Sequence, residues 1–167
     1  MGKGYRLTCS NCGGEYEVLL GVGFGFPSVY EELVEDIEAG RYGEEWREIA
    51  AETEHFAIDA ENRLYWCGKC GHWECVPGLS IYAPKDVGKV LATRFGDKTV
   101  REWGRVPYVA AKELEEDYEL VKERVHVCGR CGHDMRMLSE RGLSRAVLKC
   151  PDCDGRLERD LACIRWD

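Results

Sequence analysis

Eight of the ten cysteines are arranged as four Cys-x-x-Cys pairs, the spacing at which two thiolates bind one metal ion. The pairs are Cys9 with Cys12, Cys67 with Cys70, Cys128 with Cys131, and Cys150 with Cys153. Two such pairs together supply the four tetrahedral thiolates of a structural zinc site. We therefore predict two Zn²⁺ ions per chain, each bound by four cysteines.

The combination of the pairs is predicted from their order along the chain. The first two pairs are expected to form one site and the last two another, because the interval between Cys131 and Cys150 has a usual zinc-ribbon length. An alternative stays open, in which the second and third pairs share a site. The interval between those two pairs, 71–127, is similar in length to the interval between the first two, 13–66.

No catalytic signature accompanies these cysteines, and we do not expect an enzyme. A closed four-thiolate site has no open position at which a metal ion could activate water. His72 and His133 follow the second and third pairs, but both sets of four cysteines are complete without them. Cys75 and Cys163 remain, and we expect them to be buried small apolar residues. Four thiolates also suit iron, so rubredoxin-like electron transfer stays as a third functional hypothesis.

Short strands are predicted around the cysteine pairs, since apolar residues alternate into Cys9 and again after Gly14. The predicted fold class is α+β, with two zinc-ribbon-like antiparallel β units, the first carrying a helical insertion, joined by a partly helical connector. The predicted domains are 1–83 with an insertion at about 27–63, the connector 84–123, and the C-terminal ribbon 124–167. In the connector, positions 111, 114, 118 and 121 fit a helix and residues 118–127 fit a strand, and we predict a helix to about residue 120.

Two amphipathic helices are predicted within the first insertion. Ser28 and Glu31 form a capping box, and the apolar residues that follow recur at helical spacing, which predicts a helix over 29–39. A second helix is predicted over 44–53. The segment 27–63 contains 12 acidic and 3 basic residues, a net charge of −9.

The cysteine pairs with their glycines resemble the zinc-ribbon class of proteins. Cys128-Gly-Arg-Cys131-Gly and Cys150-Pro-Asp-Cys153-Asp-Gly look like one ribbon, and the first two pairs are similar. Residues 9–82, with Gly-Val-Gly-Phe-Gly-Phe-Pro after the first pair, are also similar to uncharacterised bacterial zinc-ribbon proteins. The resemblance implies a fold and a bound metal. It implies no activity, because zinc ribbons serve as nucleic-acid modules, protein docking modules or structural supports.

We expect the protein to act by binding a protein partner, with the acidic helices docking on a basic surface. The formal net charge of −8 disfavours non-specific binding to phosphate backbones. The alternative is nucleic-acid binding through residues 124–167, where arginines alternate with apolar residues and Trp166 is available to stack on a base.

The cysteine usage and the N-terminal sequence predict a cytoplasmic protein. Cysteines spaced for metal binding indicate a reducing compartment, and no signal peptide is recognised before the first pair. The longest uncharged apolar stretch, Val18 to Phe26, is far shorter than the ~18 residues of a membrane-spanning helix. We expect no membrane association, and the sequence gives no oligomeric state.

Overall fold

The structure is a computed structural model, and it describes residues 2–92, 96–143 and 145–166. Within these ranges it contains six helices and nine strands, which confirms the α+β class. The helices are α1 (Phe26–Glu38), α2 (Glu44–Glu52), α3 (Val87–Val90), α4 (Gly96–Trp103), α5 (Ala111–Asp117) and α6 (Glu140–Leu143). The strands are β1 (Gly2–Cys9), β2 (Glu15–Leu20), β3 (Ala57–Ile58), β4 (Asn62–Trp66), β5 (Trp73–Pro77), β6 (Ile81–Pro84), β7 (Tyr118–Lys122), β8 (Arg136–Leu138) and β9 (Leu157–Trp166).

The chain divides into two compact units, each assembled from separate segments. Unit 1 consists of Met1–Phe24, Asn62–Pro77 and Val125–Asp167, and unit 2 consists of Gly25–Glu61 and Gly78–Arg124. The predicted domains 1–83, 84–123 and 124–167 do not correspond to these units. Unit 2 is formed by two insertions into unit 1, whereas a helical insertion was predicted only in the first ribbon.

In unit 1, a sheet of strand order β2–β1–β9 joins the two ends of the chain. The central strand β1 buries Tyr5, Leu7 and Cys9, because side chains along a strand alternate between its two faces. Its partner β9 runs antiparallel, and Cys9 lies opposite Leu157. The first cysteine pair, at the end of β1, is thereby placed beside the start of β9, which follows the fourth pair.

The other sheet of unit 1 has the order β5–β4–β8 and is also antiparallel. Its central strand β4 ends at Trp66, directly before the second cysteine pair. Trp66 lies opposite Trp73 on β5 and opposite Arg136 on β8. This register brings the second cysteine pair close to the third, which precedes β8.

In unit 2, helices α1 and α2 pack on strands β3 and β6. Tyr30, Val34 and Ile37 recur at intervals of four and three residues on α1, and all three are buried in one cluster with Ile58 and Ile81. The sheet has the order β3–β6–β7. No described helix has the length and apolar character needed to cross a bilayer.

Both predicted helices of the first insertion are present, and one boundary differs. The helix predicted over 44–53 is α2, and the helix predicted over 29–39 is α1, which begins three residues earlier. Its N-cap is Gly25, with no hydrogen bond from a capping side chain, so the predicted capping box of Ser28 and Glu31 is wrong. Pro27 explains the early start, because proline fits the first turn, where no intrahelical donor is required.

The connector combines the two structures that its sequence allowed. Helix α5 ends at Asp117 and strand β7 begins at Tyr118, whose side chain is buried with Leu114 of α5. The helical periodicity, which we predicted to continue to about residue 120, is therefore replaced by strand periodicity at residue 118. The spacing of Val87, Val90, Leu91 and Phe95 also predicts a helix that stops at Gly96; α3 covers Val87–Val90, and Phe95 lies outside the described residues.

Gly78 should be difficult to replace because it lies against the buried side chain of Asp59. A β-carbon at position 78 would lie 2.8 Å from Asp59 Cγ, and Asp59 is only 8% exposed. We expect Gly78→Ala to lower the free energy of unfolding by about 1–3 kcal/mol, the usual effect of overpacking. The measurement is urea unfolding followed by circular dichroism.

Gly88→Ala provides the matched control for this substitution. Gly88 lies in α3, where an added β-carbon meets only Asp86 Oδ1, at 3.5 Å. Alanine is favoured over glycine in a helix by about 1 kcal/mol, so this control should not be destabilised. Equal urea midpoints for Gly78→Ala and the wild type would contradict the prediction.

Candidate metal centres

The eight paired cysteines assemble into two groups of four in unit 1. In each group the four sulfur atoms all lie within 4.8 Å of one another. The outer site contains Cys9, Cys12, Cys150 and Cys153, and the inner site contains Cys67, Cys70, Cys128 and Cys131. Every cysteine that was predicted to bind metal therefore belongs to one of two four-cysteine groups that could hold a metal ion.

The preferred combination of the pairs is wrong, and the alternative, in which the second and third pairs share a site, is confirmed. The first pair joins the fourth, and the second joins the third, so that one site is nested within the other along the chain. Strand pairing is the cause: β1 pairs with β9 to close the outer site, and β4 pairs with β8 to close the inner site. The backbone N–H of Ser10 also donates to the carbonyl of Arg156 at 3.2 Å.

The distances between sulfur atoms fit tetrahedral coordination. In the outer site, Cys9 and Cys153 are separated by 3.5 Å and Cys12 and Cys150 by 3.7 Å. The inner site has matching separations of 3.4 Å and 3.7 Å. A tetrahedron with zinc–sulfur bonds of about 2.3 Å has edges of about 3.8 Å. All eight cysteines are free thiols, so the donor atoms remain available.

All four pairs share one turn. The N–H of the first cysteine donates to the carbonyl five residues later, at 2.8–2.9 Å, and its own carbonyl accepts from the N–H four residues later, at 2.9–3.0 Å. The residue that donates this second bond has positive φ in every pair: Gly13, Gly71, Gly132 and Asp154. Glycine adopts this conformation without strain, which explains the glycine after the second cysteine in three of the four pairs.

Asp154 is the exception in this repeated turn, and a salt bridge holds it. Its φ is 56°, a conformation that aspartate tolerates better than most residues do. Its carboxylate accepts a hydrogen bond of 2.7 Å from Arg130, and Arg130 also donates to the carbonyl of Pro151 at 3.2 Å. Because Arg130 lies between the two cysteines of the third pair, it links the inner site directly to the outer one.

Neighbouring polar groups in the outer site favour the thiolate at Cys150 and Cys153. At Cys12 the backbone N–H of Gly14 lowers the pKa, but hydrogen bonds with the thiols of Cys153 and Cys9 raise it overall to about 12. The side-chain amide of Asn11 donates to Cys153 at 3.4 Å and lowers the pKa of that thiol. Burial opposes ionisation of Cys150, but the hydroxyl of Tyr16, 3.0 Å from its sulfur, and nearby N–H groups bring its pKa down to about 6. The same hydroxyl also donates to Asp152 Oδ2 at 2.7 Å, so its single proton is shared between the carboxylate and the sulfur. The site is therefore prepared for a cation.

The inner site has a thiolate of the same kind. The backbone N–H of Cys70 is the main group that lowers the pKa of Cys67 to about 6, and burial opposes it. Beside the site, Glu74 bridges two histidines, at 3.1 Å from His72 and 2.8 Å from His126. These contacts connect the strand after the second pair to the segment before the third, so Glu74 is a positioning residue for the site.

Within the described part of the chain, Cys75 and the histidines are not part of either group of four sulfurs. Cys75 is partly buried, and its thiol donates to the carbonyl of Leu19 at 3.0 Å. Burial raises the pKa of this thiol, so it stays protonated. His133 lies 2.9 Å from the ammonium of Lys69. The side chain of Cys163 lies outside the described residues.

Sequence reasoning missed the residues that support the metal ligands. Asn11 and Arg130 occupy the variable positions within cysteine pairs, while Tyr16, Glu74 and His126 lie two to four residues from a paired cysteine. Nothing in residue type or spacing marks them. Only a general expectation that thiolates need neighbouring hydrogen-bond donors could have drawn attention to Asn11 and Tyr16.

Fold and site together define an α+β protein with two four-cysteine groups that could each hold a metal ion. A comparison of the chain with protein-family models, curated proteins and solved structures finds no match.

Proposed function

We propose that the protein binds two structural zinc ions and acts as a docking module for a basic protein partner. The observation that carries the metal assignment is that each site brings four thiol sulfurs within 4.8 Å of one another. Four thiolates fill the coordination shell of zinc, which leaves no position for substrate or water. A metal held in this way supplies folding free energy, so we propose binding and not catalysis as the function.

The docking proposal is supported by the distribution of charge between the two units. Unit 2 contains 11 basic and 21 acidic residues, a net charge of −10, while unit 1 contains 12 basic and 10 acidic residues, a net charge of +2. All ten cysteines belong to unit 1. The metal sites and the negative charge are therefore segregated, and a basic partner would be attracted to unit 2.

Some carboxylates of α1 and α2 are already neutralised within unit 2. Arg105 pairs with Glu35 and Glu38, and Lys122 pairs with Glu45. Four acidic residues of α1 and α2 are exposed and form no ion pair within the described part of the chain: Glu31, Glu32, Glu48 and Glu52. These four define the acidic surface that we assign to the partner.

Neutralising this acidic surface should weaken binding of a basic probe. We expect the quadruple Glu→Gln variant at 31, 32, 48 and 52 to bind nona-arginine at least tenfold more weakly, because each exposed ion pair contributes up to about 1 kcal/mol. Isothermal titration calorimetry at 50 and 200 mM NaCl measures the affinity and its salt dependence.

The control for this experiment removes four charges elsewhere in unit 2. Glu115, Glu116, Glu119 and Glu123 are exposed on and after α5, and their replacement by Gln changes the net charge equally. Equal losses of affinity in both quadruple variants would show attraction by net charge alone and would contradict a docking surface on α1 and α2.

Nucleic-acid binding through residues 124–167 has less support. Two of the arginines that would contact phosphates are engaged within the protein, Arg130 with Asp154 and Arg159 over the ring of Tyr5. Two zinc ions on eight thiolates would also change the charge of unit 1 from +2 to −2. We expect no retardation of DNA or RNA by the full chain in a gel-shift assay.

A further inference from the structure

We infer that a groove in unit 2 binds an arginine side chain of an extended basic peptide; this rests on the proposed docking function and names the place on unit 2 where recognition occurs. The groove has a volume of about 510 Å³, within the usual range of ligand sites. It lies between the first half of α1 and the segment 103–108, which continues from the end of α4.

Aromatic rings form much of the groove. The rings of Phe26 and Tyr108 lie 4.6 Å apart, and Tyr30 meets Tyr108 edge-on at 6.0 Å. These contacts fix the rings of the α1 side against Tyr108. Trp103 lines the groove as well, and it is 58% exposed. Because this indole is exposed to solvent and lines the groove with rings whose positions are fixed, its face is available for stacking by a planar cation.

The carboxylates that line the groove favour a positively charged ligand. Glu31 and Glu35 line it, and Arg105 is its single lining cation among the described residues. Arg105 already forms ion pairs with α1, at 3.4 Å from Glu35 and 3.2 Å from Glu38. Glu31 is exposed and has no ion pair within the described residues, so one carboxylate at the groove is left for a ligand.

Arg105 also indicates which cation the groove selects. Its two terminal nitrogens contact two different carboxylates of α1, and a guanidinium holds these donors in one rigid plane, whereas a lysine ammonium is a compact point charge. A second guanidinium, stacked on Trp103 and paired with Glu31, would use the same chemistry. Phosphates and other anions are disfavoured by these carboxylates and by the net charge of −10 on unit 2.

The test uses the full chain and a capped nine-residue peptide of glycine, proline and three arginines. Its control peptide carries citrulline, which keeps the shape of arginine and removes the charge. We expect calorimetric binding of the arginine peptide and about tenfold weaker binding of the citrulline peptide. Equal affinity for the two peptides would overturn the inference, as would tighter binding of an uncharged amphipathic helix.

Substitutions at the groove separate this inference from the proposed function. We expect Trp103→Ala to weaken binding of the arginine peptide about tenfold, Trp103→Phe to retain most of it, and Glu31→Gln to weaken it about threefold. Glu116→Gln is the single-charge control, since Glu116 is exposed on α5 and does not line the groove. Unchanged circular dichroism and melting temperature show that each variant is folded.

The outcomes distinguish the two ideas. If the quadruple variant of the acidic surface loses binding while Trp103→Ala and Glu31→Gln do not, the docking function stands and the groove assignment is overturned. If the arginine peptide binds neither the wild type nor any variant, the docking function and the groove assignment are both contradicted. Selective loss at Trp103 and Glu31, with Glu116→Gln unaffected, supports the groove as the recognition site.

Discussion

Removal of metal by a chelator is expected to unfold unit 1 and to leave unit 2 folded. Structural zinc contributes on the order of 10 kcal/mol, as much as the whole stability of a small domain. Both four-cysteine sites lie in unit 1, and Cys9 and Cys150 are also members of its main apolar cluster with Leu7 and Leu64. Loss of the metal therefore removes the anchors of both sheets of this unit.

Unit 2 has separate sources of stability that need no metal. It contains no cysteine, and its core is built from apolar residues of α1, α2, β3 and β6, among them Tyr30, Ile37 and Ile58. Hydrogen exchange followed by mass spectrometry, with and without chelator, measures the protection of backbone amides in each unit separately. We expect protection of β1 and β4 to be lost and protection of α1 to remain. Joint loss in both units, or no loss in unit 1, would contradict this expectation.

Replacing one ligand should empty one site, whereas replacing another cysteine of the same unit should empty none. Cys67 is buried in the inner site, where its thiolate is stabilised by backbone N–H groups. We expect Cys67→Ser to reduce the metal content from two ions to one and to destabilise unit 1, because serine is a far weaker zinc ligand than a thiolate.

Cys75→Ser is the matched control for this replacement. Cys75 lies on β5 of the same unit, and its thiol donates to the carbonyl of Leu19, a bond that a serine hydroxyl can also make. We expect this variant to keep both metal ions. Metal content is measured by elemental analysis after gel filtration under reducing conditions. Loss of one ion from Cys75→Ser, or none from Cys67→Ser, would contradict the assignment of ligands.

The cysteines of the two four-cysteine groups could be predicted because their signal is local. Two thiolates three positions apart can bind one metal ion whatever the rest of the chain does. Helices α1 and α2 were predictable for a related reason, since Tyr30, Val34 and Ile37 recur at helical spacing within one short segment.

The combination of the cysteine pairs could not be predicted, because it depends on pairing between distant parts of the chain. The competing intervals, 13–66 and 71–127, are so similar in length that they gave no basis for choice. The combination is decided by the pairing of β1 with β9 and of β4 with β8, and these contacts join residues far apart in the sequence. The C-terminal residues 124–167 looked like a complete ribbon, yet their two cysteine pairs belong to different sites.

The groove of unit 2 was hidden from the sequence for the same reason. Its two walls, around Phe26 and around Tyr108, are far apart in the chain and meet only in the fold. Position 118 shows a different limit, because helical and strand periodicities overlap there and tertiary packing of Tyr118 decides the boundary.

The most direct test of the nested sites is the native mass of two quadruple Cys→Ser variants that remove equal numbers of cysteines. One variant replaces the first and fourth pairs, Cys9, Cys12, Cys150 and Cys153. The other replaces the first and second pairs, Cys9, Cys12, Cys67 and Cys70. Nested sites predict one metal ion in the first variant, whose inner site is intact, and none in the second, where each site keeps two ligands. No ion in the first variant and one in the second would contradict the account.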